Sequence, residues 1–286
     1  MDIKSIPIIG VGPGSQPPEE DGVELDYIDL PDTIHTFDKP ILPEPEEVLG
    51  RTGAMEAMAW LQQALTDYRP GGPVLAADLS GLTPEDRDVV NQILGEGEVS
   101  IRVATDDGEL RTQEAVLAGV WRTFQMDDQG RVRRDLIEVC QVPERARRAP
   151  QPGTAGGLRV ADLPPEVMNG GPILTELAEH LADHRPGAEA HVINLTLLPL
   201  SAEDLEFLDE RLGKGPVHLL SRGYGDCHID STAVPGIWQV RYYNSTEKLI
   251  LNTLEVTDIP VVACAAPEDL TASAARLQDM LEPYRA

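Results

Sequence analysis

The sequence predicts a two-layer α+β protein made by tandem duplication, in which each repeat packs two helices against a mixed, mostly antiparallel sheet. Three observations predict this fold class. Landmarks within residues 54–143 recur about 116 to 118 positions later, both copies begin with amphipathic helical periodicity, and both continue with alternating apolar and polar residues. The matched landmarks include Asp67 with Asp183, Gly95 with Gly213, Trp121 with Trp238 and Pro143 with Pro260.

The two copies order their elements in the same way. A first helix, with Leu61 or Leu174 on its apolar side, ends at an Arg-Pro-Gly stop. A short strand precedes a second helix, which begins with a capping pattern at Thr83 or Ser201 and ends at a Gly-x-Gly pair. The β-rich runs that follow bring each copy to about five strands, and pseudo-twofold symmetry between the copies is expected.

Several segments lie outside the repeated unit. Residues 1–52 are rich in proline and acidic residues, which predicts an extended arm rather than a helix. The first α/β repeat then covers 53–143, a linker rich in Pro, Gly and Ala covers 144–170, and the second repeat covers 171–286. A closing helix is expected over 267–285 within that second repeat.

Composition limits the classes of partner and compartment. The chain of 286 residues is 41% hydrophobic and carries a formal charge of −26, which disfavours binding to nucleic acid or to anionic lipid surfaces. No apolar run reaches the roughly 18 residues of a membrane span, so membrane insertion is not expected. Without a recognisable secretion signal, and with only three cysteines, the chain is expected to stay in the cytoplasm with reduced thiols. Its acidity favours either solubility or attraction of basic segments.

Three patterns have both a functional and a structural interpretation. Gly10, Gly12 and Gly14 resemble a phosphate loop, but prolines interrupt them and no helix follows. His180 and His184 have the spacing of a zinc pair, although a histidine at a helix C-terminus is more simply explained by the helix dipole. The run of Arg131, Arg133 and Arg134 could bind an acidic partner or be the solvated side of an edge strand.

The main difference between the copies falls in a hairpin. The first copy has Ala-Thr-Asp-Asp-Gly at 104–108, where the second has Ser-Arg-Gly-Tyr-Gly-Asp-Cys-His at 221–228, which predicts an elaborated hairpin. Glycine, tyrosine, cysteine and histidine are residue types that build contact surfaces and sites. The candidate partner-binding residues are Arg222, Gly223, Tyr224, Gly225, Asp226, Cys227, His228, Trp238, Tyr242 and Asn244.

Two other chemistries stay open at this hairpin. Cys227 and His228 could act as a nucleophile and its base in a thiol enzyme, but neighbours on a strand point to opposite faces. A metal or iron-sulfur cluster could use Cys227, His228 and Cys264, although stable sites of this kind normally need four soft ligands. No catalytic residues and no cofactor are therefore assigned, and Tyr224 and Cys227 could equally be partly buried structural residues.

Four segments of the second copy carry a family resemblance: 222–227, 236–245, 249–256 and 259–270. Together they resemble the C-terminal domain of the HupH/HyaF family of hydrogenase expression/formation proteins. The first copy, at 94–101 and 118–121, and the N-terminus, at 9–16, are similar to the family as well, so the resemblance covers nearly the whole chain. One departure is His228, at a position where the family often has arginine.

The resemblance implies an accessory factor for uptake nickel-iron hydrogenases, without known catalytic activity. It implies that the factor assists the iron-sulfur small subunit before its export by the twin-arginine route. The expected partners are then the small subunit and other hydrogenase accessory proteins. The leading interpretation is an assembly chaperone, with a metal or cluster handling factor as the alternative and a thiol-dependent enzyme as a weaker one.

Overall fold

The computed structural model describes residues 42–149, 158, 160–223 and 225–285. Most of the predicted N-terminal arm, including the glycines at 10, 12 and 14, lies outside the described residues, and so does Tyr224. The first half of the described chain contains α1 (Pro45–Val48), α2 (Thr52–Asp67), β1 (Leu75–Asp78), α3 (Pro84–Leu94), β2 (Val99–Thr105), β3 (Gly108–Glu114), β4 (Val120–Asp127), β5 (Val132–Val139) and α4 (Glu144–Arg147), of which α1 lies in the predicted arm and α4 in the predicted linker. The second contains α5 (Gly170–Asp183), β6 (His191–Asn194), α6 (Ala202–Leu212), β7 (Val217–Gly223), β8 (Gly225–Ser231), β9 (Ile237–Tyr243), β10 (Leu249–Val256) and α7 (Pro267–Leu281).

One antiparallel sheet joins the ten strands of the described residues, in the order β1-β5-β4-β3-β2-β7-β8-β9-β10-β6. Each half of this order repeats the other in reverse, which confirms the predicted α+β tandem duplication. The halves meet where β2 pairs with β7, and there Ile101 lies opposite Leu219. These two residues occupy equivalent positions in the repeats, so a pseudo-twofold axis passes through this pair. We call the two halves the first and second lobes.

The second helix of each lobe begins with the predicted cap. The Thr83 hydroxyl accepts a hydrogen bond from the Asp86 backbone N–H, and Ser201 does the same for Asp204. The carboxylates of these two aspartates also accept bonds from the backbone N–H groups of Ala54 and Gly170, near the start of the preceding helix. One acidic side chain therefore caps one helix and ties it to the other in both lobes.

The two faces of the sheet are buried differently. Strand alternation and register place Ile101, Trp121, Leu219 and Trp238 on one face, and all four are buried in a core that spans both lobes. On the opposite face the helices of each lobe cover only the outer strands. In the second lobe, for example, side chains of α5 and α6 pack with residues of β6, β9 and β10. The middle strands are thus left partly exposed on that face.

The final helix packs against the first lobe, although it follows the second in sequence. The backbone carbonyl of Ala274 in α7 accepts a hydrogen bond from Gln62 in α2, and the Ser273 hydroxyl donates to the carbonyl of Ala118. Leu270 lies so close to Gly119 that a Cβ at this glycine would be 2.0 Å from Leu270 Cδ2. The closing helix, at the C-terminal end of the described chain, is therefore part of the packing of the first lobe.

Each helix of the described residues is too short or too polar to cross a bilayer.

Candidate functional site

The hairpin of β7 and β8 differs from its counterpart in side chains, and it is not longer. Arg222 pairs with Asp226 and Gly223 with Gly225, so a single residue separates the strands, whereas two residues separate β2 from β3. The prediction of an elaborated hairpin is therefore wrong in length. A Cβ at Gly225, whose φ is +120°, would lie 2.3 Å from the carbonyl oxygen of Tyr243, so this position requires glycine.

Cys227 and His228 point to opposite faces of the sheet, as strand alternation predicts. Cys227 faces the buried side, where burial raises the pKa of its thiol to about 11, an effect that a hydrogen bond with Tyr242 partly offsets. Burial likewise raises the pKa of Tyr242 to about 12. Because the thiolate is the reactive form of cysteine, this geometry does not provide an activated nucleophile.

Trp238 is 1% exposed, and Cys227, on the same face of the sheet, is 4% exposed. Both side chains belong to the shared core, which corrects the prediction that they contact a partner directly. Asn244 also has a structural role, because its side-chain oxygen accepts hydrogen bonds from the backbone N–H groups of Thr246 and Lys248 in the turn after β9. Cys227 and Trp238 therefore support the hairpin surface from the core, and Asn244 holds the turn next to it.

The structure does not assemble the alternative metal ligands Cys227, His228 and Cys264. His228 lies on the opposite face of the sheet from Cys227. Cys264 lies in the segment after β10, where its Sγ is 3.9 Å from the carbonyl oxygen of Pro260. The interpretation of His180 and His184 as a zinc pair is also wrong. The Nε2 atom of His184 lies 3.0 Å from Asp258 Oδ1, whereas the ring of His180 stacks on that of His191. The sequence spacing concealed this partner because His191 lies on a different element.

The three arginines around the start of β5 form ion pairs with two carboxylates of the first lobe. Arg131 and Arg133 form ion pairs with Asp127, and Arg134 with Asp78. β5 lies between β1 and β4, but β1 pairs only with Leu136–Val139, so the residues before them form a local edge, in agreement with the interpretation as the solvated side of an edge strand. The arginines are exposed because residues 132–134 extend beyond the paired part of β1.

On the partly exposed face, His228 lies in a cluster of rings and charges. Its ring contacts those of His218 and Tyr243, with centroid distances of 5.6 and 5.2 Å. Burial and the neighbouring His218 lower the pKa of His228. The two carboxylate oxygens of Asp230 each lie 2.5 Å from a nitrogen, Oδ1 from His218 Nδ1 and Oδ2 from an Arg241 guanidinium nitrogen. Burial alone would raise the pKa of Asp230, but these hydrogen bonds outweigh that effect and lower it.

A cationic cleft of about 250 Å³ adjoins this cluster where the two lobes meet. Arg102 and Arg111 of the first lobe and Arg222 of the second line it, together with Gln113 and Phe124. Arg111 pairs with Glu109, whereas Arg102 and Arg222 make no ion pair or side-chain hydrogen bond with any described residue. The sequence alone does not identify Arg102 and Arg111 as site residues, because only the pairing of β2 with β7 brings them to the hairpin.

A second cleft, of about 310 Å³, is acidic and lies on the first lobe beside the segment that follows β10. Glu98, Glu114 and Asp269 line it, with Trp121 and Val262 as apolar neighbours. Burial raises the pKa of Glu114 to about 7, although its carboxylate accepts a hydrogen bond from the Gly119 backbone N–H. The two clefts therefore have opposite charge.

Comparison with known proteins identifies the family. The model of the HupH hydrogenase expression protein C-terminal conserved region matches twice, at residues 52–163 and 167–284. The chain belongs to the HupH family. The hydrogenase expression/formation protein HupQ of Azotobacter chroococcum mcd 1 is 47% identical over 96% of this chain and 95% of its own length.

Other HupH-family relatives also match over nearly their whole length. HoxQ of Cupriavidus necator, a hydrogenase expression/formation protein, is 45% identical over 99% of this chain and 98% of its own. The hydrogenase-1 operon protein HyaF of Escherichia coli K12 is 34% identical over 95% of this chain and 94% of its own. Membership in the HupH family supports a role in hydrogenase maturation, and the double match agrees with the two lobes.

Proposed function

We propose that the chain is a non-catalytic assembly factor that binds the iron-sulfur small subunit of an uptake nickel-iron hydrogenase before twin-arginine export. The observation that carries the proposal is the cationic cleft, in which Arg102 and Arg222 lack partners among the described residues. Unpaired guanidinium groups keep their capacity for bidentate hydrogen bonds to a carboxylate. In a chain with a formal charge of −26, such a cluster supports selective recognition.

The contact surface that we propose extends from the cleft along the hairpin. Arg222 and Asp226 are exposed, and the rings of His228 and Tyr243 are partly exposed beside them. Aromatic and arginine side chains are the residue types that contribute most binding energy at protein interfaces. We therefore expect an acidic residue of the client to enter the cleft while apolar client residues contact the neighbouring rings. Tyr224 and the flanking Gly223 and Gly225 remain part of this proposed surface.

The acidic cleft is proposed as a second contact, for the basic export signal of the same client. The carboxylates of Glu98 and Asp269 supply the complementary charge, and Val262 is 36% exposed at the rim of the cleft. Electrostatic attraction of this kind raises the rate of association and depends on salt. A client that lacks its signal should consequently still bind through the cationic cleft, but more slowly and with less sensitivity to salt.

Co-purification from cells that produce the hydrogenase tests the proposed partner. We expect the small subunit to be recovered with the wild-type chain. The double variant Arg102→Glu and Arg222→Glu should reduce recovery about tenfold or more, because the loss of an interface hot spot costs about 2 kcal/mol. The matched control is Arg145→Glu, which reverses an exposed arginine in α4. Equal recovery of the small subunit with the double variant and with the control would refute the proposed surface.

Metal handling through Cys227 is the alternative that the same preparation tests. Anaerobic purification followed by iron and sulfide analysis should give no iron that depends on this thiol, because Cys227 is buried and its predicted co-ligands lie elsewhere. Stoichiometric iron that disappears in Cys227→Ser would favour a carrier over a chaperone.

A further inference from the structure

The second lobe carries a cluster of three metal-binding side chains at its outer edge. Glu176 and His180 are four residues apart on α5, so they share one side of the helix. His191 begins β6, the edge strand beside that helix. Its Nε2 lies 2.8 Å from Glu176 Oε1, and its ring stacks on that of His180 with a centroid distance of 3.4 Å. One donor atom from each of the three side chains lies within 4.8 Å of the other two.

We propose that Glu176, His180 and His191 form a binding site for a borderline divalent transition metal ion such as Zn²⁺. Two imidazole nitrogens and one carboxylate oxygen are a donor set that zinc accepts, with bonds of about 2.0–2.2 Å and a fourth position open to water or another ligand. Side-chain rotation alone can bring donors that are already within 4.8 Å to the spacing of a tetrahedral site. The hard cations Mg²⁺ and Ca²⁺ prefer all-oxygen sites and are not expected to bind here.

The first lobe shows that the fold does not require these residue types. The equivalent positions are Trp60, Ala64 and Leu75, which are apolar and pack against the core of the first lobe. The same helix and edge strand are therefore stable with a hydrophobic contact at this place. Their replacement by three metal-binding side chains in the second lobe is specific to that lobe.

Solvent access and nearby residues are consistent with a site that exchanges its ion. The side chain of Glu176 is 48% exposed and that of His191 is 29% exposed, so an ion can enter without movement of the backbone. His184, one helical turn after His180, is held by Asp258 at 3.0 Å and is not part of the cluster. It therefore provides a control histidine at the end of the same helix.

Titration of the untagged full-length chain with Zn²⁺ tests the site directly. We expect one high-affinity Zn²⁺ per chain by calorimetry, and no such binding of Mg²⁺. His180→Ala and His191→Ala should each weaken the binding by more than about 100-fold, since loss of an outer partner of a ligand already costs roughly 10–100-fold. His184→Ala should leave the affinity unchanged. Thermal unfolding of each variant verifies that the fold is retained.

Spectroscopy identifies the ligands independently of affinity. In an NMR titration with Zn²⁺, the imidazole signals of His180 and His191 should shift together at one equivalent, while those of His184 and His218 stay in place. Glu176→Gln should keep these shifts but require more Zn²⁺ to reach them. The absence of stoichiometric binding, or binding that survives both histidine substitutions, would overturn the proposal whatever the outcome for client binding.

Discussion

At equivalent points of the central sheet, the first lobe carries Ala104 and Leu110, whereas the second carries Arg222 and Cys227. Apart from one residue in the turn, the backbone plan around these positions is the same, down to the glycine that begins the second strand of each hairpin. At the outer edge, the apolar residues of the first lobe are likewise replaced by Glu176, His180 and His191. The lobes therefore diverged by exchanging side chains on a common scaffold, and the candidate sites are found where they differ.

The largest expected difference between the lobes concerns Gly119 and Gly236, which have φ angles of +76° and +83°. An alanine at either position incurs the cost of a left-handed backbone, about 1–3 kcal/mol. At Gly119 the new methyl group would also collide with Leu270 of α7, and overpacking adds about 1–3 kcal/mol. We therefore expect Gly119→Ala to lower the free energy of unfolding more than Gly236→Ala, as measured by urea denaturation.

Equal losses in the two glycine variants would contradict the docking of α7 on the first lobe. A truncation before residue 267 supplies the control. In the truncated chain, the extra cost of Gly119→Ala should disappear, because Leu270 is no longer present.

Glu114 should make stability depend on pH in a way that its equivalent, Ser231, cannot. Burial raises its pKa in the folded state to about 7, above the ordinary value of 4.5. The folded state therefore binds the proton more tightly, and this contribution to stability is lost as pH rises from about 4.5 to 7. Glu114→Gln should remove that loss, so at pH 8 its free energy of unfolding should exceed that of the wild type by about 3 kcal/mol.

The free energies of unfolding of the wild type and Glu114→Gln should differ little at pH 4.5, because Glu114 is protonated in the folded wild type at that pH. Denaturation at a series of pH values measures the difference. A constant gap between wild type and Glu114→Gln across this range would show that the carboxyl group is not the titrating group.

A smaller difference is expected between the two buried tryptophans. The indole N–H of Trp121 donates to the carbonyl oxygen of Cys140 at 3.0 Å, whereas that of Trp238 has no acceptor among the described residues. Both phenylalanine variants lose a similar volume, but only Trp121→Phe loses a hydrogen bond. We expect it to cost about 1 kcal/mol more than Trp238→Phe in thermal or urea unfolding. A reversed order would indicate that Trp238 has an acceptor in solution.

The smallest effect concerns the thiol of Cys227, which replaces Leu110 of the first lobe. With a pKa of about 11 and a buried sulfur, it should react with a disulfide reagent at pH 7 only when the protein unfolds. Cys264, which is partly exposed, should react first in the native protein. Rapid modification of native Cys227, identified by mass spectrometry of Cys227→Ser against wild type, would revive the thiol enzyme interpretation.

Local sequence signals were sufficient for the duplication and for the helix caps at Thr83 and Ser201, because periodicity and capping act within a few residues. They could not give the pairing of β2 with β7 or the return of α7 to the first lobe, which depend on contacts between distant segments. The candidate site shows the same limit. The difference between the two copies identified Arg222 as a candidate. Arg102 lies close to it only because β2 pairs with β7. Trp238 was misinterpreted because a conspicuous residue on a strand can face either side.

The central strand pair sets Ile101 directly against Leu219, each the counterpart of the other. Two separate copies of a single ancestral unit could join along the same edge to give an ordinary isologous homodimer. In such a dimer every substitution would appear on both sides of the axis. Covalent fusion removes that constraint, so one half can keep its apolar packing while the other acquires charged and metal-binding groups. Asymmetry of this kind is available only to a fused pair.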